Sequence, residues 1–81
     1  MDNATLLERI SIDPAVCHGK PVIKGTRVPV FVVLGALAGG DSIAGIAQDY
    51  VITEDDVRAA VAYANEILNH EQHFLTTSRN G

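Results

Sequence analysis

An uncharged stretch from Val28 to Gly40 constrains the fold more strongly than any other feature of this chain. Pro29 suits the first position of a helix, because its φ is already close to the helical value. Residues 29–38 then offer no polar face, and Gly39-Gly40 follows as a C-cap. A helix that is apolar all round is buried all round. Since an 81-residue domain has little interior, we expect one face of this helix to meet a second copy.

Five large apolar side chains of this helix are the candidates for that dimer interface: Val30, Phe31, Val33, Leu34 and Leu37. Composition favours the same interpretation. The chain is 47% hydrophobic, which is a high fraction for a small domain, because a small domain buries only a limited share of its surface. We therefore predict a homodimer.

Two more helices are predicted after the apolar one. Asp41 or Ser42 caps a short helix over 42–50, and a turn of about three residues leads to Thr53. Thr53 and Asp56 have the spacing of a capping box, so a longer helix is expected over 53–70. Its apolar stripe is predicted to face the core: Val57, Ala60, Val61, Ala64, Ile67 and Leu68. Tyr50 is expected in the core as well, whereas Tyr63 lies off the stripe and is expected to be exposed or in a subunit contact.

The rest of the chain predicts strands and tails. Residues 1–8 form a lead-in, residues 9–13 alternate polar and apolar as a strand does, and residues 22–24 form a second strand. Residues 71–81 are expected to be a flexible tail. The sequence thus predicts one mainly α domain over 9–70, with three helices in helix-turn-helix order. Short N-terminal β-strands are expected to pair in a dimer, and the sequence leaves open whether they pair within one chain or across the two.

Charge is unevenly distributed along this chain of net charge −4. Residues 9–27 contain four basic residues and a single acid: Arg9, Lys20, Lys24, Arg27 and Asp13. Residues 41–71 contain seven acids and only Arg58 as a base. Residues 54–56, at the start of the last helix, are all acidic and would repel DNA phosphates. We therefore expect nucleic-acid or partner contacts at the basic residues, including Arg58.

Residue patterns that would indicate catalysis or metal binding are weak in this sequence. Cys17 and His18 are adjacent and would point apart in an extended loop, and His70 and His73 lack a carboxylate at a matching spacing. We expect no catalytic activity, no metal, no cofactor and no small-molecule substrate. The N-terminus lacks the pattern of a signal peptide, and the uncharged stretch is short for a membrane span, so a cytoplasmic location is expected.

Several segments together resemble the Domain of Unknown Function 433 family: Arg9–Pro14, Cys17–Val30, Gly40–Ile43, Asp49-Tyr50 and Thr53–Ala64. The resemblance covers about residues 8–70, and its most specific part is Gly19–Arg27. It implies a homeodomain-like three-helix bundle with N-terminal strands. It also implies an antitoxin that is paired with a PIN-like nuclease toxin.

Three hypotheses for binding remain open at this point. Lys24 or Arg27 on a rigid turn could enter the carboxylate-rich metal site of such a nuclease, or the acids of residues 54–56 could cover its RNA groove. Operator DNA is a second candidate ligand. The alternative is a dimeric protein-interaction adaptor that binds no nucleic acid. Arg27 and Lys24 have a purely structural interpretation too, in which they brace the turn against Asp13 or Asp49.

Overall fold

The structure is a computed structural model that describes the main chain of residues 2–79 and the side chains of residues 2–70. In this part of the chain the α-helices are α1 (Asn3–Leu7), α2 (Val30–Ala38), α3 (Ile43–Tyr50) and α4 (Glu54–Arg79), and the strands are β1 (Ile10–Ser11) and β2 (Val22–Ile23). The prediction of a mainly helical domain with short N-terminal strands is confirmed. Within residues 2–79, no helix combines the length and the hydropathy needed to cross a membrane.

The two strands pair with each other inside one chain. They run antiparallel, with Ile10 opposite Ile23 and Ser11 opposite Val22. Both are shorter than the predicted strands over 9–13 and 22–24. The chain leaves β1 early because Asp13 forms a turn, in which its carboxylate accepts the N–H of Ala15 at 2.9 Å. Of the two arrangements left open by the sequence, the structure has the pairing within one chain, and a contact of these strands with a second copy stays a prediction.

The core lies where α2, α3 and α4 meet β2. Its fully buried members are Ile23, Val30, Val33, Ile46, Val57 and Ala60. Two residues predicted for the dimer interface therefore belong to the core instead: Val30 is 4% exposed and Val33 is 0% exposed. Val33 is enclosed by the chain's own core, and Val30 keeps only a small exposed fraction. Leu34 and Leu37 are half-buried against the same core, which leaves Phe31 as the most exposed of the five.

Capping interactions set the ends of the helices. Pro29 keeps an extended ψ of 145° and is the N-cap of α2 rather than its first residue. At the other end, Gly40 adopts a φ of +100°, and the N–H of Asp41 donates to the carbonyl of Ala36 at 3.0 Å, as in a Schellman motif. Ser42 caps α3 by accepting the N–H of Gly45 at 2.9 Å.

The turn between α3 and α4 contains an unusual residue. Val51 ends α3 in the left-handed conformation, with a φ of 56° and a ψ of 50°. Glycine or asparagine normally takes this position, because a Cβ is costly there and a branched one more so. The side chain of Val51 is 87% exposed, so burial does not offset that cost within this chain. Tyr50 beside it, predicted as core, is exposed.

Helix α4 begins as predicted and continues further than predicted. Thr53 accepts the N–H of Asp56 and Asp56 accepts the N–H of Thr53, each at 3.0 Å, which is a reciprocal capping box. The helix extends to Arg79 instead of ending near residue 70, and no proline or glycine interrupts residues 54–79. The end of the predicted flexible tail, residues 80 and 81, lies outside the described residues.

Helix α1 covers a face of α4 that lies outside the predicted apolar stripe. Ala59 and Ala62 are buried although they lie outside the predicted stripe. The side chain of Asn3 in α1 contacts Glu66 at 3.5 Å, and Glu66 shares a helix face with both alanines. Val61 and Leu68, inside the predicted stripe, are exposed instead. Residues 3–7 of the predicted lead-in thus form a packed helix, and α4 is buried on a wider arc than predicted.

Candidate partner-binding surfaces

The basic segment that the sequence singles out is built around a rigid turn after β2. The N–H of Thr26 donates to the carbonyl of Ile23 at 3.0 Å, and the hydroxyl of Thr26 donates to the same carbonyl at 2.7 Å. That hydroxyl also accepts the N–H of Val28 at 3.0 Å. Gly25 has a φ of +79°, which a type II turn requires at its third position. The backbone that carries Lys24 and Arg27 is therefore fixed by several hydrogen bonds.

Lys24 and Arg27 point into solvent from this turn. Both are exposed, and neither has a carboxylate within salt-bridge distance among the side chains of residues 2–70. The proposed bracing of these two residues against Asp13 or Asp49 is therefore not seen as an ion pair in that part of the chain. Two cations on a fixed backbone, without an internal counter-ion there, form the structure's clearest candidate for contact with an anionic partner.

Arg9 and Arg58, two other predicted contact residues, are engaged within the chain. The guanidinium of Arg9 lies 3.1 Å from the carboxylate of Asp56, and this pair is partly buried. Arg58 lies 3.2 Å from Asp55 and 3.6 Å from Glu54 on its own helix. Any partner that takes either arginine has to displace a carboxylate first, so both are weaker candidates than Lys24 and Arg27.

Acidic side chains lie among the basic ones around the turn. A depression of about 350 Å³ on one side is lined by Thr5, Glu8, Arg9, Lys24 and Asp56. A second depression, of about 620 Å³, brings Arg27 together with Asp13 and Ser11. The predicted separation of the two charge signs is therefore incomplete: the basic surface narrows to the turn itself, with carboxylates at its margins.

Lys20, the remaining predicted contact residue, lies at a different surface. Its ammonium nitrogen is 4.9 Å from the centre of the Phe31 ring, which is within cation–π distance. Both residues line an apolar groove of about 390 Å³ between α2 and α4. Other side chains lining this groove are Leu34, Tyr63, Ile67 and Leu68. The sequence pattern assigned Ile67 and Leu68 to the core. Their position at the C-terminal end of the apolar stripe of α4 was the only sequence feature that pointed to this groove.

The residues considered for catalysis or metal binding fall in two segments, and Cys17 and His18 lie in a tight turn with positive φ values of 49° and 58° rather than in an extended loop. The thiol of Cys17 donates to the carbonyl of Arg27 at 3.5 Å, which ties the loop before β2 to the basic turn. His70 lies 3.4 Å from Glu66, and the side chain of His73 is outside the described residues. Among the described residues, no three His, Cys, Asp or Glu residues lie close enough together to hold a metal ion.

One carboxylate, that of Asp2 at the start of α1, has a shifted pKa. Asp2 caps α1 by accepting the N–H of Thr5 at 2.8 Å, and Thr5 lines the depression that contains Lys24. This hydrogen bond lowers the pKa of Asp2 below its ordinary value of 3.8, because the charged form is the better acceptor.

Comparison with known proteins assigns the chain to a family. The profile of DUF433, described as a protein of unknown function, matches residues 10–64. The chain belongs to the DUF433 family. The match extends from β1 to the middle of α4, so it includes the basic turn, α2, α3 and the capping box. The resemblance stated from the residues is confirmed.

Two curated relatives are similar to this DUF433 chain. "Putative antitoxin VapB45" of Mycobacterium tuberculosis is 38% identical over 52 residues, which are 64% of this chain and 22% of the relative. "Uncharacterized protein y4eO" of Sinorhizobium fredii is 33% identical over 64 residues, which are 78% of this chain and 29% of the relative. The chain therefore spans only about a quarter of the length of the curated relatives that it matches.

Two solved structures share the fold of this DUF433 chain. The crystal structure of a DUF433 member from Anabaena variabilis has a TM-score of 0.70 at 26% identity, and the match covers 90% of this chain and 73% of that one. The crystal structure of Rv2018 from Mycobacterium tuberculosis has a TM-score of 0.60 at 38% identity, covering 64% of this chain and 24% of that one. The mainly helical fold of this chain is thus shared with a solved DUF433 member.

Proposed function

We propose that this chain is a non-enzymatic binding protein, the antitoxin of a toxin–antitoxin pair, and that it neutralises a PIN-like nuclease. Its similarity to a protein named "Putative antitoxin VapB45" supports the antitoxin role. The observation that carries the mode of action is the exposed pair Lys24 and Arg27 on a turn fixed by hydrogen bonds. The nuclease itself is the partner that the family resemblance implies.

The chemistry of the turn suits a carboxylate-rich target. A metal-dependent nuclease site holds several carboxylates, and a guanidinium can bind a carboxylate through two parallel hydrogen bonds. A cation that enters this site competes with the metal ion for the same oxygens. Because the backbone of the turn is already ordered, little conformational entropy is lost on binding. Neutralisation then needs no chemical step by the antitoxin.

The acidic start of α4 is a weaker candidate for the same contact. Its three carboxylates are all partly neutralised inside the chain, Asp56 by Arg9 and the other two by Arg58. Asp56 also closes the capping box. Covering a basic RNA groove with these groups would require Arg9 and Arg58 to release them. We therefore assign the nuclease contact to the basic turn.

Inhibition of the nuclease tests this assignment directly. The nuclease to test is one of the PIN-like kind encoded next to this chain, and RNA cleavage is measured while the proposed antitoxin is titrated. Arg27→Glu should weaken inhibition about 100-fold or more, because a carboxylate would then face carboxylates. Arg58→Glu is the matched control with the same change in charge and should weaken it less than about threefold. Equal loss in both variants would refute the basic turn as the contact, and full inhibition by Arg27→Glu would do the same.

Operator DNA is the proposed second ligand, through the same turn. Phosphate contacts supply most non-specific affinity and make it salt-dependent, and Lys24 and Arg27 are the exposed cations that stand closest together in sequence. A gel shift with the chain's own upstream DNA should be lost in Lys24→Glu/Arg27→Glu. The variant Glu54→Gln/Asp55→Asn is the control at the other candidate contact, the start of α4. If this control alone changes DNA affinity, the start of α4 is the DNA contact instead.

The second candidate function is a dimeric adaptor that binds no nucleic acid. The apolar groove between α2 and α4 favours it, because exposed apolar surface of this kind usually marks a protein contact. This candidate predicts no gel shift under any salt condition and no inhibition of RNA cleavage. An upstream DNA shift or a neutralised nuclease would each reject it.

A further inference from the structure

The strand β1 lies at an open edge of the small sheet. Within residues 2–79 the sheet has two strands, so β1 has β2 on one side and no strand on the other. Ile23, which is opposite Ile10, donates its N–H to Val28 and accepts the N–H of Thr26, both on the side away from β1. Ile10 and Ile23 therefore form a non-hydrogen-bonded pair, and the N–H and carbonyl of Ile10 point away from β2. The alternation along a strand repeats this direction at Ile12.

The main-chain groups at this edge have no partner in the part of the chain that the structure describes. Neither the N–H nor the carbonyl of Ile10 or Ile12 forms a backbone hydrogen bond there on the side away from β2. The side chain of Ile12 is 57% exposed, and it shares a face of the strand with Ile10, which packs against the core. Unpaired main-chain groups on an edge strand are a template for another strand. The edge thus offers hydrogen bonds and apolar contact together.

The residues of this edge are complementary to themselves. Residues 9–13 are in order basic, apolar, small and polar, apolar, and acidic: Arg9, Ile10, Ser11, Ile12 and Asp13. When a second copy runs antiparallel with Ser11 opposite Ser11, each Ile10 faces an Ile12 and each Arg9 faces an Asp13. Apolar pairs and pairs of opposite charge stabilise neighbouring strands, whereas like charges opposite each other destabilise them. The strand that fits this pattern has the same pattern itself, which selects a second copy of the chain.

One register uses the edge more fully than its neighbours. The outward groups belong to Ile10 and Ile12, so these residues must face each other or face their own copies. With Ile12 opposite Ile12, Ile10 faces Pro14, which has no N–H to donate. With Ile10 opposite Ile10, Ile12 faces Glu8, whose backbone is helical and not extended. With Ser11 at the twofold axis, every outward residue faces another outward residue.

The internal contacts of the two charged residues are compatible with this register. Arg9 contacts Asp56 through Nη1, and a guanidinium has five N–H donors in all. Asp13 accepts the N–H of Ala15 through Oδ1, so Oδ2 is not used in that bond. Opposite charges therefore face each other across the pair while Arg9 keeps its bond with Asp56.

We infer that the outer edge of β1 is a homodimer interface, at which two copies join their sheets into one four-stranded antiparallel sheet. Ile10 and Ile12 exchange main-chain hydrogen bonds between the copies, and Ile10 of each copy covers the exposed Ile12 of the other. A two-stranded sheet is marginal by itself, whereas three or more strands with an apolar face are stable. This interface differs from the one predicted on α2. The inference goes beyond the proposed function, because self-association is measured on the chain alone.

Disulfide cross-linking tests the register. Opposite residues of a non-hydrogen-bonded antiparallel pair have Cα atoms about 4.5 Å apart, which is within the span of a disulfide. Cys17 is the chain's single cysteine, so Cys17→Ser/Ser11→Cys leaves one thiol, at the twofold axis. Under mild oxidation it should form a covalent dimer of twice the chain mass of 8.6 kDa. The control Cys17→Ser/Ala44→Cys has one exposed thiol on α3 and should cross-link about tenfold more slowly, because only random collision joins its thiols.

A charge at the edge tests the apolar contact. Sedimentation equilibrium at about 10–100 μM, a range in which modest interfaces associate, should give twice the chain mass for wild type. Ile12→Lys should weaken dimerisation about 30-fold or more, because an ammonium would lie against Ile10 of the other copy. Val51→Lys is the matched control, with the same change at a β-branched residue that is 87% exposed, and it should weaken dimerisation less than about threefold. Circular dichroism at about 1 μM, below that range, checks that each variant is folded.

The remaining results separate this inference from its alternatives. A wild type that stays monomeric over this range overturns it, and so does a dimer that survives Ile12→Lys or dissociates equally in Val51→Lys. Equal cross-linking through positions 11 and 44 overturns it as well. If wild type is monomeric and Ile12→Lys loses only nuclease inhibition, the edge accepts a strand of the toxin instead. Loss of dimerisation with inhibition intact supports the interface, and loss of inhibition alone in Arg27→Glu concerns only the proposed function.

Discussion

The carboxylate of Asp56 joins two parts of the chain, because it accepts a hydrogen bond from Arg9 at 3.1 Å through one oxygen and the N–H of Thr53 at 3.0 Å through the other. Arg9 precedes β1, and Asp56 lies in the first turn of α4. One side chain therefore caps a helix and also links the small sheet to the helical bundle. The exposed fractions of the two side chains, 35% for Arg9 and 15% for Asp56, put this pair in a partly desolvated place.

Replacing this carboxylate should cost more than replacing its neighbour. Asp56→Ala removes the capping box and the contact with Arg9, and we expect a loss of about 2 kcal/mol in the free energy of unfolding. Asp55→Ala removes only an exposed ion pair with Arg58 and should cost less than about 0.5 kcal/mol. Urea denaturation followed by circular dichroism measures both. Equal losses for the two variants would mean that Asp56 contributes no more than a surface ion pair.

Two positions with left-handed backbone should respond in opposite directions. Val51→Gly relieves a branched side chain at a φ of 56° and should stabilise the chain by about 0.5–1 kcal/mol. Gly40→Ala introduces a Cβ at a φ of +100° and should destabilise it by about 1 kcal/mol or more. No atom lies within 4 Å of the added Cβ at Gly40, so this cost is one of backbone conformation alone. Thermal unfolding of both variants checks the signs, and a destabilised Val51→Gly would contradict the structure of the turn.

The core should be sensitive to the loss of a single methyl group. Ile46 is 0% exposed and packs where α3 meets α2 and α4. Ile46→Val should lower the free energy of unfolding by about 1 kcal/mol, and Ile46→Ala by about 3 kcal/mol. The larger change approaches the whole stability of a small domain, so the valine variant is the more informative one. Ile12→Val makes the same change at an exposed site and should stay within about 0.5 kcal/mol of wild type in urea denaturation.

Acid should loosen the start of α1. The pKa of Asp2 is below its ordinary value of 3.8, because the ionised carboxylate accepts the N–H of Thr5. Its stabilising effect is therefore complete above the ordinary pKa and is lost as the pH falls through the lowered one. The amide chemical shift of Thr5 in an NMR titration should follow this transition. Asp2→Asn keeps a capping oxygen without a titrating group, so the Thr5 shift should then be independent of pH; if it still titrates, another group is responsible.

The sequence by itself determined the elements that depend on local chemistry. Four such elements occur as predicted: the capping box of Thr53 and Asp56, the cap at Ser42, the end of α2 at Gly39-Gly40 and the turn that carries Lys24 and Arg27. Each depends on residues within a few positions of one another, so the pattern contains all the necessary information. The same holds for the mainly helical class and for the family.

Tertiary structure alone decided which faces are covered. Val30 and Val33 lie in the chain's own core, and Leu68 lies on an open groove, although all three look equally apolar in the sequence. Arg9 is bound to a carboxylate 47 residues away, and Arg27 is exposed, although both are arginines of one basic segment. Burial and ion pairing depend on contacts between segments that are distant in sequence. A periodic pattern shows that a helix has an apolar side, but it does not show which part of the protein packs against that side.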